Sequence, residues 1–341
     1  MNRTFAALAL TAALAATAGC GGGAQSGADD ISEVTLRVGD QIAGAEPLLE
    51  AAGELEDVPY RIEWSTFTSG PPLLEAVHAG AVDIGQVGNT PPVFAAAAGS
   101  DIRIVAAFDA APTASSIIVP AGSPIREPAD LAGASIAVAK GSSAHGHLLG
   151  VLTDEGLSFD DVDVNYVQPS DALASFSEGG VDAWAVWDPY VSQAEDRTGA
   201  RILVDAEGYV NTYTFQVANT AALEDPALAA ALEDYVRRIH RAVLWSRENP
   251  REYAEVWSEH SGLPVEVTEQ AARRRDPVPR LIDDELVAAE QALADSFADA
   301  GEIPESPRIA DFVDDRFNGI VPEAPGAGPG AGEEPAAAGG R

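Results

Sequence analysis

Short apolar runs recur along the chain at strand length, and between them apolar residues return every three or four positions. Segments 34–38, 60–64, 82–87, 102–107, 116–119, 135–138, 162–167, 183–186 and 202–204 read as strands. Segments 73–79, 91–98, 146–154 and 171–178 read as helices between them. This alternation predicts an α/β protein with largely parallel sheets. Beyond Asn219 the pattern turns helical. Asp225-Pro226 has the form of an N-cap followed by proline in the first turn. Leu228, Leu232, Val236, Ile239 and Val243 then share one helix face. A further helix is predicted over 284–300, with Leu286, Leu293 and Phe297 inward and Gly301 as its stop.

One phrase occurs twice. Gly80-Ala81-Val82-Asp83 leads into a strand and then Asn89-Thr90-Pro91, while Gly179-Gly180-Val181-Asp182 leads into a strand and then Asp188-Pro189. Both read as helix, glycine turn, Val-Asp, buried strand and proline-started helix, which suggests two similar lobes.

In parallel α/β sheets ligands settle beyond the carboxyl ends of the strands, where helices begin. Candidate junctions are Gly39-Asp40-Gln41, Thr68-Ser69-Gly70-Pro71-Pro72, Gly88-Asn89-Thr90-Pro91-Pro92, Lys140-Gly141-Ser142-Ser143-Ala144-His145 and Trp187-Asp188-Pro189-Tyr190. Each combines free backbone N–H groups with hydroxyl or amide donors, a set that can hold an anion without a cationic side chain. Any one of them is also an ordinary helix cap. Their number in one chain points to a cleft.

Charge narrows the partners. The 341 residues carry 20 basic and 54 acidic side chains, a formal balance of −34, and Lys140 is the only lysine. A nucleic-acid backbone needs a basic face, which this chain lacks. An apolar content of 46% is enough for a packed core. Residues 1–19 read as a secretory signal, with Arg3 ahead of an apolar stretch too short to span a bilayer. Thr17-Ala18-Gly19 precedes Cys20, the only cysteine, which cannot form an internal disulfide. The arrangement is similar to the lipobox of bacterial lipoproteins, with Thr17 where leucine is usual, and implies lipidation at Cys20. Gly-rich residues after Cys20 read as a tether up to residue 32, and 322–341 as a disordered low-complexity tail.

The segments Phe67-Thr-Ser-Gly-Pro-Pro-Leu-Leu-Glu-Ala76, Gly88-Asn-Thr-Pro-Pro92, Lys140-Gly-Ser-Ser-Ala-His145 and Val181-Asp-Ala-Trp-Ala-Val-Trp-Asp-Pro-Tyr190 resemble those of aliphatic sulfonate-binding proteins. These are substrate-binding subunits of ABC importers in the nitrate/sulfonate/taurine family. The resemblance implies a two-lobed periplasmic-binding-protein fold of type II. Residues 33–117 and 217–321 would form lobe one, with the C-terminal helices packed on it, and 118–216 lobe two. It further implies an extracytoplasmic monomer that closes on a small anion and presents it to a permease driven by separate ATPase subunits. Gln41, Ser69, Gly70, Asn89 and Thr90 would line the first lobe's side, and Ser142, Ser143, His145, Trp187 and Asp188 the second's. Asn89-Thr90 departs from the acidic-then-aliphatic pair common in relatives, which bears on head-group selectivity.

A sulfonate stays ionised at any biological pH, and its three oxygens call for convergent donors. Its tail calls for an apolar wall, for which Phe67, Phe108, Trp184 and Trp187 are candidates. Asp188 is awkward beside an anion. It serves either as the cap of the helix begun by Pro189 or as a partner for the amine of taurine. His145 and His147 form His-x-His, but no third ligand at metal spacing accompanies them, so neither metal nor cofactor is expected. In Arg273-Arg274-Arg275, either of the last two is open to a role at the anion. Taurine, nitrate, bicarbonate and thiamin-type precursors remain alternative ligands. An enzyme like the thiamin pyrimidine-precursor synthases is the alternative of another class, disfavoured by export and the single lysine. No phosphate-binding loop is present, so ATP hydrolysis falls to a partner.

Overall fold

In the computed structural model, residues 31–42 and 44–322 are described. The signal segment, Cys20, most of the tether and the tail from residue 323 lie outside them. The chain begins with β1 (Thr35–Gln41), α1 (Ala45–Ala51), β2 (Arg61–Phe67), α2 (Gly70–His78), β3 (Ile84–Gly88), α3 (Thr90–Ala97) and β4 (Ile102–Asp109). There follow β5 (Ser115–Val119), β6 (Ser135–Val138), α4 (Ser143–Asp154), β7 (Asp163–Tyr166), α5 (Pro169–Ser177), β8 (Ala183–Trp187), α6 (Tyr190–Thr198) and β9 (Arg201–Asp205). The last part holds β10 (Tyr213–Asn219), α7 (Thr220–Glu224), α8 (Pro226–Glu248), α9 (Pro250–Ser261), α10 (Val265–Arg275), β11 (Val278–Arg280) and α11 (Asp284–Asp299).

The strands form two sheets, one of six strands in the order β11-β4-β10-β3-β1-β2 and one of five in the order β7-β6-β8-β5-β9. β1 is parallel to β2 and β3, and β6 to β7 and β8. β10 is antiparallel to β3 and β4, β11 to β4, and β5 to β8 and β9. The expectation of largely parallel sheets is therefore corrected. Each sheet receives near its middle a strand arriving from the other one, and that strand enters from the opposite end. The crossings run ahead of β5, over 110–114, and ahead of β10, over 206–212, so β5 lies whole in the second sheet and β10 whole in the first, whereas lobe limits at 117/118 and 216/217 fall inside these strands. They lie against each other: the Ala110 N–H donates to the Thr212 carbonyl at 3.3 Å, and the Ala206 N–H to the Pro112 carbonyl at 3.4 Å.

Five strands of the first sheet, β2-β1-β3-β10-β4, repeat the order of the second. The Gly-Val-Asp echo is part of this symmetry. Gly80 and Gly179 close α2 and α5 with left-handed φ of 68° and 75°. The Asp83 and Asp182 carboxylates then accept the N–H groups of Arg37 and Ser135 at 2.7 and 2.9 Å. Each aspartate thus ties the start of a central strand to its parallel neighbour.

The apolar face of α8 buries Leu232, Val236, Ile239 and Val243 with Leu36 and Val38 of β1 and Leu48 and Leu49 of α1. Such burial contributes about 1.5–3 kcal/mol per large side chain, which fixes the C-terminal helices to the first lobe. α11 differs. Its Leu293 and Phe297 share a cluster with Val93 of α3 and Leu149 of α4, so apolar packing joins the lobes on one flank.

Candidate functional site: the interlobe cleft

The carboxyl ends of β1, β3 and β8 and the two crossings enclose a cleft. About 140 Å³ of it is open to the centres of water molecules. That is roughly ten times what one water needs, so a solute of several heavy atoms fits. The first lobe contributes Asp40, Gln41, Ile42, Thr68, Gly70, Gln86, Val87, Gly88, Asn89, Pro91, Tyr213 and Thr214. The second contributes Ser115, Ser142, Ser143, Trp187, Asp188, Pro189 and Tyr190. Asn211 and Thr212 come from the second crossing, and Arg275 and Pro277 from the end of α10.

Of the residues expected at a ligand, Gln41, Gly70, Asn89, Ser142, Ser143, Trp187 and Asp188 are brought together on this lining. Gln41 donates its amide to the Gln86 carbonyl at 2.9 Å. The Asn89 amide donates to the Asn211 carbonyl at 2.5 Å, joining β3 to the crossing. Gly70 sits so close to Pro91 that a Cβ would lie 2.6 Å from the ring, so a larger residue cannot begin α2 there without a shift. Trp187 meets Tyr190 edge-on with ring centroids 6.3 Å apart, and with Ile42, Val87 and Pro91 it forms an apolar wall.

Ser69, Thr90 and His145 are fully buried and are not on the lining. Ser69 and Thr68 each donate a hydroxyl to the Gln168 Oε1 at 2.9 Å, linking α2 to the start of α5 across the lobes. Thr90 donates to the Asn89 Oδ1 at 3.0 Å from behind. His145 is wrapped by Phe94, Phe159 and Phe297, and its Nδ1 accepts the Gly141 N–H at 3.2 Å. Burial pushes its pKa down to about 3, so the ring is neutral. His147 lies apart, with Nε2 2.9 Å from the Asp205 carbonyl, and burial lowers it to about 4. Among the described residues no group of three or more His, Cys, Asp or Glu is placed to hold a metal. Of the four aromatics suggested for the wall, Phe108 and Trp184 belong to the cores of the two lobes, and Phe67 packs against the α2 side.

Three hydroxyls not expected at the ligand join that of Ser142 here. Those of Ser115, Ser142, Tyr190 and Thr214 all lie on the lining, are buried, and have no hydrogen-bond partner among the described residues. Buried polar groups are nearly always paired, so four convergent exceptions mark a place built for acceptor atoms from elsewhere. The hint available in the sequence was a cluster of polar residues, Asn211-Thr212-Tyr213-Thr214, leading into an apolar strand. Arg275 also reaches the lining. It has no ion-pair partner among the described residues and its guanidinium lies 5.6 Å from the Trp257 ring.

Two buried carboxylates flank these donors. Asp40 accepts the Ala45 and Glu46 N–H groups at 2.9 and 3.2 Å, at the start of α1. Asp188, joined to Pro189 by a cis peptide, accepts the Ser192 N–H at 3.0 Å and hydroxyl at 2.6 Å, capping α6. Burial pushes both pKa values up, and the capping donors and nearby arginines pull them back.

Two lobes, two adjacent crossings and a donor-lined cleft define a periplasmic-binding-protein fold of type II, a class built to hold a solute between its halves. The profile of NMT1/THI5-like proteins matches residues 70–253. The alkanesulfonate-binding protein SsuA from Xanthomonas axonopodis pv. citri, solved with MOPS, is 34% identical with a TM-score of 0.76, covering 82% of this chain and 97% of that one. The periplasmic aliphatic sulphonate binding protein SsuA from Escherichia coli is 32% identical with a TM-score of 0.71, covering 82% and 91%. The taurine-binding periplasmic protein of Escherichia coli strain K12 is 31% identical over 146 residues, 43% of this chain and 44% of that protein. The chain belongs to the NMT1/THI5-like family, and these relatives are solute-binding proteins.

Proposed function

We propose that the protein is an extracytoplasmic lipoprotein that binds an aliphatic sulfonate between its lobes and delivers it to an ABC permease and its ATPase subunits. The four unpartnered hydroxyls carry this reading. They converge from both sheets on one cleft, and hydroxyl donors suit the three oxygens of a sulfonate head group. Arg275 adds a cation on the lining, and Trp187 with its neighbours offers a surface for an alkyl tail. The two SsuA relatives, an alkanesulfonate-binding and an aliphatic sulphonate binding protein, point the same way. Lipidation of Cys20 would tether a monomer to the membrane, and among the described residues no helix is long and apolar enough to cross one.

Calorimetry of the chain from Gly21 onward against ethanesulfonate, taurine, nitrate and a thiamin pyrimidine tests the ligand class. Binding of ethanesulfonate is expected; nitrate binding without any sulfonate signal overturns the assignment. Lipidation is checked by Cys20→Ser, which should move the protein from the membrane to the soluble fraction.

A further inference from the structure

A carboxylate on the wall of an anion site needs an explanation, and Asp188 is such a carboxylate. Its Oδ1 is engaged as the cap of α6. Its Oδ2 has no hydrogen-bond partner among the described residues. Behind it stands Arg274, whose Nη1 is 3.8 Å from that oxygen. The Arg274 Nη2 donates to the Glu195 Oε2 at 2.6 Å, and Nη1 to the Ser192 Oγ at 3.4 Å. Gln270 donates to the same Glu195 oxygen at 2.9 Å. Arg274 itself is not on the cleft lining, and its side chain is only 17% exposed. α10 packs on α9, whereas α6 carries the second sheet's β8 onward, so this guanidinium joins the two halves. Away from bulk water, opposite charges at this separation cancel much of the field that either would project. The neighbouring arginines are engaged otherwise: Arg273 pairs with Glu269 at 2.8 Å, and Arg275 faces the cleft.

We propose that Arg274 is a positioning residue of the anion site, masking the Asp188 carboxylate from the ligand and holding α6 against α10 without touching the ligand itself. The proposal rests on the reading of the cleft as an anion site. The charged groups facing Asp188 are Arg274 from α10 and Glu195 from α6, with Arg275 on the same lining. The first crossing, 110–114, contributes none.

Arg274→Ala is expected to weaken ethanesulfonate binding about tenfold or more, the consequence of uncovering a like charge at the site. Arg274→Lys, which keeps the charge, loses less. The discriminating variant is Arg274→Ala combined with Asp188→Asn. Asparagine retains an oxygen to cap α6 but carries no charge, so the pair should regain most of the lost affinity. Were Arg274 only a strut between helices, the double variant would stay as weak as the single one, and the proposal would fall. Arg274→Gln replaces the alanine variant if the latter does not fold. A measurement without ligand separates this inference from the identity of the solute. In 13C-aspartate NMR the Asp188 titration should move to higher pH when Arg274 is neutralised. An unmoved titration overturns the masking role even where ethanesulfonate binds. A moved titration in a protein that ignores ethanesulfonate overturns the sulfonate reading and upholds the masking.

Discussion

Ser142 gives the sharpest residue-scale test, because its hydroxyl is buried on the cleft and has no hydrogen-bond partner among the described residues. Removing a hydroxyl that holds no protein partner takes no stabilising bond from the fold. If it donates to an anionic oxygen, its loss costs about 1.5–3 kcal/mol of binding, the range for hydrogen bonds to charged groups. Ser142→Ala should therefore weaken ethanesulfonate in calorimetry while melting at the same temperature or higher. Unchanged affinity would remove Ser142 from the site. Trp187 makes a different contribution. Half-buried beside Tyr190, it offers apolar area rather than donors, so Trp187→Ala should weaken alkanesulfonates by about 1–3 kcal/mol. The loss should grow from ethanesulfonate to hexanesulfonate across a titration series, and a loss independent of chain length argues against a tail wall.

At the scale of elements, the strands with clean apolar runs were legible, and so were the α8 and α11 faces. β10 was not read as a strand, because its first residues Tyr213 and Thr214 follow a polar crossing, and β11 is three residues long with Pro279 at its centre. The antiparallel placements depend on which sheet receives each crossing strand, and no local pattern encodes that. The strand-to-helix junctions were legible as ligand-bearing, but not residue by residue. Successive positions in a helix's first turn are rotated by about 100°, so Asn89 reaches the cleft while Thr90 faces the interior, and Ser142 and Ser143 reach it while His145 does not. Ser69 missed the lining for an informative reason. With Thr68 it bonds to Gln168, so the starts of α2 and α5 are fastened across the lobes by one amide oxygen. A contact made only between lobes acts on release more than on encounter. Gln168→Ala should speed ligand dissociation severalfold in stopped-flow tryptophan fluorescence and leave the association rate nearly unchanged. An unaltered dissociation rate would deny the contact any part in closure.

For the whole molecule, buried titratable groups outside the ligand site set how stability follows pH. His145, His147 and His240 are pushed by burial to about 3, 4 and 4 from an ordinary 6.5. Between about pH 4 and 6.5 the unfolded chain binds more protons at these sites, so they add stability as pH rises through that window. Glu290 on α11 acts oppositely. It is fully buried beside the second crossing, and neither carboxyl oxygen has a partner within hydrogen-bonding reach among the described residues. Burial pushes it up to about 8 from 4.5, and the Asn211 amide offsets this only in part. The folded protein therefore holds a proton there that the unfolded chain gives up, and the associated stability is lost between pH 4.5 and 8. Asp40 and Asp188, also raised by burial, act with the same sign. Below pH 6.5 the histidines oppose these carboxylates, and above it the histidines of both states are neutral while Glu290 still titrates. Thermal stability should thus decline from pH 6.5 toward pH 8.5. Glu290→Gln, which cannot ionise, should melt several degrees above the parent at pH 8.5, at roughly 2–4 °C per kcal/mol for a protein of this size. At pH 4.5, where the parent already holds Glu290 protonated, the two should melt together. Calorimetric scans of both proteins at pH 4.5, 6.5 and 8.5 check this, and an equal alkaline decline in the two would show that the loss arises elsewhere.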